Sequence, residues 1–388
     1  MKLLTSTATI INTYDPNSPS MHVSSETTAG MTILESFDYD IWYCFFSCEH
    51  SFKIYKIRDL VPKDVLDKVK SGQAYIVLDN ALEPFLKSID TIYSHLVIEE
   101  GIPERQIILM TNMYDALEYT NNLAEKLDRK PIRIMWFKLF EWDLHMVVRD
   151  SYKNTQLKTL EFKEYPKKFL NLNRRWRSHR PLLTTLLYQR SLIDKGYISF
   201  GPCDQKDTWG HRWPELLHYF RKNPPMLEIL ESSAGVKDLP PLYLDTNELH
   251  INRAVATQDT DHYYLNSYFS VVSETTCLTQ EWYPNVRFLS EKTFKAIAMN
   301  HPFILVSVPH SLDILRRMGY KTFSPIIDER YDLEEEDSKR MIMIANEIER
   351  LANLTPAELE IFLAASKEIV EFNFKNLISK QSFIEELN

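Results

Sequence analysis

Glycine is scarce in this chain, with eight among 388 residues. Tight loops that wrap phosphates in backbone N–H groups depend on glycine, and neither a Walker sequence nor a G-x-G-x-x-G fingerprint occurs. That argues against a nucleotide hydrolase or a dinucleotide dehydrogenase of the usual design. Cysteine is rarer still: Cys44, Cys48, Cys203 and Cys277. A single C-x-x-x-C pair, without a second pair or histidines at zinc spacing, gives no metal site, and buried reduced thiols of an intracellular protein are the expectation. Long apolar runs are missing as well. No stretch reaches the roughly 18 residues of a membrane span, and the opening "MKLLTSTATIINTYDPNSPS" reads as a first strand and loop rather than a signal peptide. The expected location is cytoplasmic.

What is present is a globular composition, 44% hydrophobic and 26% charged, with 20 tyrosines and 20 phenylalanines. The length suits two domains. The net charge of −9 opposes a general affinity for nucleic acid or anionic membrane.

Apolar runs alternate with helical spacing. Strands are expected over 41–46, 74–79, 105–112 and 131–140, and helices over 82–101, closed by Gly101, and 113–127. The pattern resumes with strands at 168–173, 196–201, 268–274 and 302–307. Helices are expected at 179–194, 290–300, 310–320 and from 337 to 354, around an irregular, proline-rich middle. Gly319 to Phe323 reads as a turn and strand, and the acidic run 328–337 as a solvated loop. Such alternation implies parallel sheets flanked by helices. The fold class expected is α/β, with two Rossmann-like domains facing a cleft: an N-terminal domain at 1–160, a C-terminal domain at 161–350 and a helical tail at 351–388. Ligands in such sheets bind beyond the carboxyl ends of the strands.

One of those ends is strongly basic. "KKFLNLNRRWRSHR" puts Arg174, Arg175, Arg177, His179 and Arg180 between a strand and a helix start. From 153 to 195 there are 11 Lys/Arg against 3 Asp/Glu, about +8 within an acidic chain. Arginines at a helix N-terminus oppose its dipole unless an anion belongs there, and a diphosphate suits both the guanidinium groups and the free N–H groups. A solvated basic face and a nucleic-acid contact are the alternatives.

Two carboxylates stand at further junctions. Glu274 follows a strand, and Glu291 opens a helix behind Ser290, a good N-cap, with Lys292 in the same turn. A capped helix explains Ser290 and Glu291; a sugar-nucleotide site would use the carboxylates on hydroxyls and the lysine on phosphate.

The order "VVSETT", then "FLSEK" opening a helix, then "NHPFILVS" resembles the donor-binding half of the α-1,3-fucosyltransferase family, inverting GT-B glycosyltransferases. The upstream "FLNLNRRWRSHRPLL" resembles that family's arginine at a helix entry. The chain is also similar over most of 165–350 to glycosyltransferase-like proteins of tailed bacteriophages, which share something like Asp328, Glu329 and Tyr331. The resemblance implies a sugar carried by a nucleotide diphosphate as donor substrate, with no prosthetic group and no metal. It implies Arg180 on the diphosphate, Glu291 and Lys292 on ribose and phosphate, and Glu274 at the sugar. Two positions depart from the family: its asparagine after the first glutamate is Thr275, and its tyrosine is Phe288. The resemblance further implies a carboxylate base in the N-terminal half. Asp79 and Glu83 after the strand at 74–79 are the candidates, Glu49 their rival. The formal D-T-D at 259–261 reads as a turn, and His310 as a helix cap or a packing residue. The acceptor implied is a glycan, a protein or, in a phage-encoded protein within the host cytoplasm, a hydroxymethylated DNA base, though the net charge disfavours DNA. A non-catalytic protein that sequesters nucleotide sugar is the other reading.

Overall fold

The computed structural model describes residues 41–45, 57–81, 86–151, 163–173, 177–200, 213–232, 242, 244, 260–279 and 286–387. The strand and loop expected over 1–20, the candidates Glu49, Glu83, Arg174 and Arg175, and Cys48 and Cys203 lie outside these residues. The chain divides into two compact units: Met1–Trp142 with Gln381–Asn388, and Asp143–Lys380.

The first unit holds strands β1 (Ile41–Phe45), β2 (Tyr75–Asn80), β3 (Ile107–Thr111) and β4 (Arg133–Phe137) in the order β1-β2-β3-β4, all parallel. β3 is buried along its whole length, as expected of a parallel strand covered on both faces. Between strands run α1 (Lys63–Lys70), α2 (Ser88–Ile92, continuing as a π-helix through Tyr93–Glu99) and α3 (Ala116–Lys126). The strand expected over 131–140 stops at Phe137, and α4 (Leu139–Ser151) starts at once. Its Leu144 and Val148 are buried on one helical face.

A fifth strand, β9 (Ile384–Leu387), pairs antiparallel with β4 and lay within the expected helical tail. It forms because β4 presents an open edge, and Phe383 beside it enters the core with Val77, Ile108, Met110 and Phe137.

The second unit carries β5 (Lys167–Asn173), β6 (Gly196–Phe200), β7 (Ser267–Ser273) and β8 (Phe303–Val306), parallel in the order β6-β5-β7-β8. Helix α5 (His179–Gln189) links β5 to β6. The middle expected to be irregular contains α6 (Trp213–Phe220) and α7 (Pro224–Glu231). Pro224 and Pro225 occupy the first turn of α7, where a missing N–H is harmless, behind the capping side chain of Asn223. A short α8 (Asp261–Leu265) precedes β7, and α9 (Glu291–Ala298) links β7 to β8. Then follow α10 (Ser311–Arg317), α11 (Asp337–Ala352) and α12 (Pro356–Ser379). The β5–β6 and β7–β8 crossovers run in opposite directions across the sheet. Right-handed connections therefore put α5 and α9 on opposite faces. Helix α11 packs on α5 and α12 on α9.

Two local readings need correction. Residues 320–323 form no strand; instead Asn373 of α12 accepts the N–H of Lys321 at 2.8 Å and donates to its carbonyl at 2.8 Å, doing the work of a strand partner. The acidic run is not a solvated loop, since Glu329, Asp332 and Asp337 are buried. Glu329 accepts the N–H of Phe323 at 2.6 Å and meets Arg316 at 2.9 Å, while Asp332 accepts the N–H of Leu312 at the start of α10.

Candidate functional site

The second sheet reverses its winding between β5 and β7. From β5 the chain crosses to β6 on one side, then returns to place β7 on the other. Beyond the carboxyl ends of two such strands the flanking helices diverge, and an open α/β sheet offers a crevice there. Asn173 ends β5; Ser273 ends β7 and is followed by Glu274. The basic stretch and both glutamate clusters thus belong to elements leaving these two strand ends or entering α9.

Two asparagines that sequence reasoning passed over line the end of β5. The Asn171 amide is buried and donates to the Val271 carbonyl at 2.7 Å and to Ser273 Oγ at 3.1 Å, tying β5 to β7. Asn173 donates to Asn171 Oδ1 at 2.5 Å, and its own Oδ1 has no hydrogen-bond partner among the described residues. The signal was there in "FLNLN": amides two apart share one face of a strand, and a buried amide needs partners.

Arg180, in the first turn of α5, is 5% exposed, and its Nη2 lies 3.4 Å from the carbonyls of Ser273 and Glu274. The guanidinium therefore spans from the helix after β5 to the end of β7. His179 beside it is buried, and Arg177, just before the helix, is half-buried. The side chain of Ser178 makes no cap to α5.

The two glutamate clusters form one hydrogen-bonded group. Glu274 is fully buried; its Oε1 accepts the Ser290 N–H at 3.0 Å and the Thr293 hydroxyl at 2.5 Å, and its Oε2 accepts the Ser290 hydroxyl at 2.5 Å. Lys292 Nζ stands 3.7 Å from the same carboxylate and 3.4 Å from Glu291, and it donates to Ser290 Oγ at 2.7 Å. Ser290 caps α9 as its sequence position predicts. Glu274 is thus a strut between the end of β7 and the start of α9. Glu291 and Lys292, about one-fifth exposed, form the part of the group that solvent reaches.

The loop between them is fastened at both ends. The Thr276 hydroxyl donates to the Val286 carbonyl at 3.0 Å. Arg340 of α11 is fully buried, donates to the Cys277 carbonyl at 2.6 Å and pairs with Asp337, which accepts the N–H and hydroxyl of Thr279. Thr275 is half-buried, and Phe288 lies in the core at 2% exposure.

Elsewhere, Asp79, the penultimate residue of β2, is buried, and its Oδ1 accepts the Ala81 N–H at 3.0 Å. Asp261 of the formal D-T-D opens α8 and pairs with the buried Lys295 of α9. His310 occupies the N-cap of α10 in the left-handed region at φ 62°, with Glu335 at 3.0 Å. Among the described residues no three His, Cys, Asp or Glu side chains are grouped to hold a metal, and no helix is long and apolar enough to cross a membrane.

No protein-family model, curated protein or solved structure matches this chain.

Proposed function

We propose that this chain is a GT-B glycosyltransferase, taking a sugar from a nucleotide-diphosphate donor held at the β5 and β7 ends of the second unit. The observation that carries the reading is Arg180, nearly buried across the reversal in strand order, with the starts of α5 and α9 beside it. A diphosphate in that crevice would meet guanidinium charge and helix N-termini together. Arg177 and Lys292 add positive charge, and Glu291 offers a carboxylate to ribose hydroxyls.

In the transfer, a base removes the proton of the acceptor hydroxyl while its oxygen attacks the anomeric carbon. The bond to the diphosphate breaks with its electron pair on the leaving oxygen, where positive groups stabilise the charge. Inversion at the sugar follows from a single displacement. Asp79 or Glu83 of the first unit is the proposed base, and the acceptor is a glycan, a protein or a modified DNA base.

The second reading, a protein that binds nucleotide sugar without transferring it, draws on the saturation of Glu274 by Ser290 and Thr293 and on the turn to which Asp79 is bonded. Incubation with a panel of sugar nucleotides separates the two. Slow release of nucleoside diphosphate by hydrolysis supports the transferase; binding without release across donors and acceptors supports sequestration. If no sugar nucleotide binds, both fail.

A further inference from the structure

At the amino ends of β5 and β7, the side of the sheet away from the strand-end crevice, lies a cavity of about 340 Å³. Tyr165 and Tyr268 form one wall, their rings edge to face with centroids 4.7 Å apart. The Tyr268 side chain is pinned by backbone: its hydroxyl accepts the Tyr165 N–H at 3.1 Å and donates to the Lys163 carbonyl at 3.2 Å. Pro166, Pro356 and Leu359 complete the apolar lining. Such a slot, rigid and faced with rings, suits a flat apolar body.

Its charged lining residues are Lys168 and Glu164. The Lys168 ammonium lies 5.4 Å from the Tyr268 ring centroid and donates to the Leu354 carbonyl over a long 3.4 Å. Burial and the neighbouring charge of Lys195 push its pKa below the usual lysine range, against a smaller opposing effect of Glu164. Lysines crowd this end of the sheet. Lys167 donates to the Asp194 carbonyl, Lys195 to the Asn353 side chain, and Lys163 stands over the Tyr165 ring. These acceptors are neutral, so among the described residues none of the four ammonium groups is in an ion pair. The start of α12 at the lip is already capped by Thr355 and Glu358, which leaves the lysines as the source of attraction for an anion.

We propose that this cavity binds a small planar-ring anion, such as an aryl phosphate or aryl carboxylate. Its ring lies against Tyr268 and the prolines, and its anionic group pairs with Lys168. The site is separate from the proposed donor crevice and does not depend on glycosyl transfer.

Titration of the full chain with phenyl phosphate tests it. One saturable site is expected. Lys168→Met should weaken it about tenfold or more, Lys168→Arg should keep it within about threefold, and inorganic phosphate should bind at least about tenfold more weakly than phenyl phosphate. Lys292→Met, at the donor crevice, should leave it unchanged. The proposal is overturned if phenyl phosphate shows no saturable binding, if Lys168→Met binds it like the wild type, if inorganic phosphate binds as tightly, or if binding is lost with Lys292→Met instead.

Discussion

Glu274 accepts three hydrogen bonds from a residue pair 16 and 19 positions along the chain, inside a core that excludes water. Removing it leaves the Ser290 N–H and the protons of two buried hydroxyls without their acceptor, and leaves Lys292 with Glu291 alone as counter-charge. Glu274→Ala should therefore destabilise the second unit by about 3–5 kcal/mol, as for one partner removed from a buried ionic group. Glu274→Gln should cost less, and the denaturant midpoint of that unit's transition reads both. Arg180→Ala should weaken binding of a nucleotide-diphosphate sugar by about 1.5–3 kcal/mol, the worth of a charged hydrogen bond, with the denaturant midpoint of the second unit read alongside because the side chain is nearly buried. Asp332 gives a pH prediction. Burial raises its pKa from 3.8 to about 6, over the opposing hydrogen bond from Leu312. Between those values the folded chain holds more protons than the unfolded one, so this group makes stability fall as pH rises through the window. Asp332→Asn should flatten that slope in denaturation midpoints taken from pH 4 to 6. At this scale the sequence revealed less than it did of the strands. Ser290 announced itself as an N-cap, because capping is local. The partners of Glu274, the bond from Asn373 to Lys321 and the burial of Asp332 depend on contacts across 16 to 52 residues, which no local pattern encodes.

Elements with one dominant driving force were legible. Strands β2, β3, β7 and β8 are built on short apolar runs, and α5, α9 and α11 carry apolar residues at helical spacing. Elements that depend on a neighbour were not. β9, Ile-Glu-Glu-Leu, has two adjacent glutamates and no strand-like alternation, and it pairs along the edge that β4 offers. The segment 320–323 looked like a strand and instead takes its hydrogen bonds from a side chain. Replacing that side chain tests the point: Asn373→Ala leaves the N–H of Lys321 without its acceptor in a half-buried segment. A loss of about 1–3 kcal/mol in the denaturation midpoint is expected. Arg340 plays the corresponding part for the loop after β7, holding Cys277 and Asp337 from α11.

On the scale of the whole chain, two α/β sheets are legible in the alternation of apolar runs, but the return of the last residues from the helical tail is not. They return to the first sheet, where the Arg133–Glu386 and Lys138–Glu385 pairs flank the strand. Partly exposed pairs of this kind add little; Phe383 and the covered edge of β4 carry more. Deleting 381–388 should lower the unfolding transition of the first unit and leave that of the second in place, as two-step denaturation followed by local probes in each unit would show. Charge is distributed as unevenly as structure, with about +8 between 153 and 195 in a chain of net −9. That stretch supplies Arg180 beyond the carboxyl ends of β5 and β7 and Lys168 at the opposite end of the same sheet. The central claim, that a donor diphosphate rests across the ends of β5 and β7, is tested most directly by calorimetric titration of sugar nucleotides into the wild type and Arg180→Ala, with Lys292→Met alongside. Saturable binding by the wild type and a loss of roughly ten- to a hundredfold in Arg180→Ala are expected. Wild-type affinity in Arg180→Ala, or no binding of any sugar nucleotide to the native chain, would contradict it.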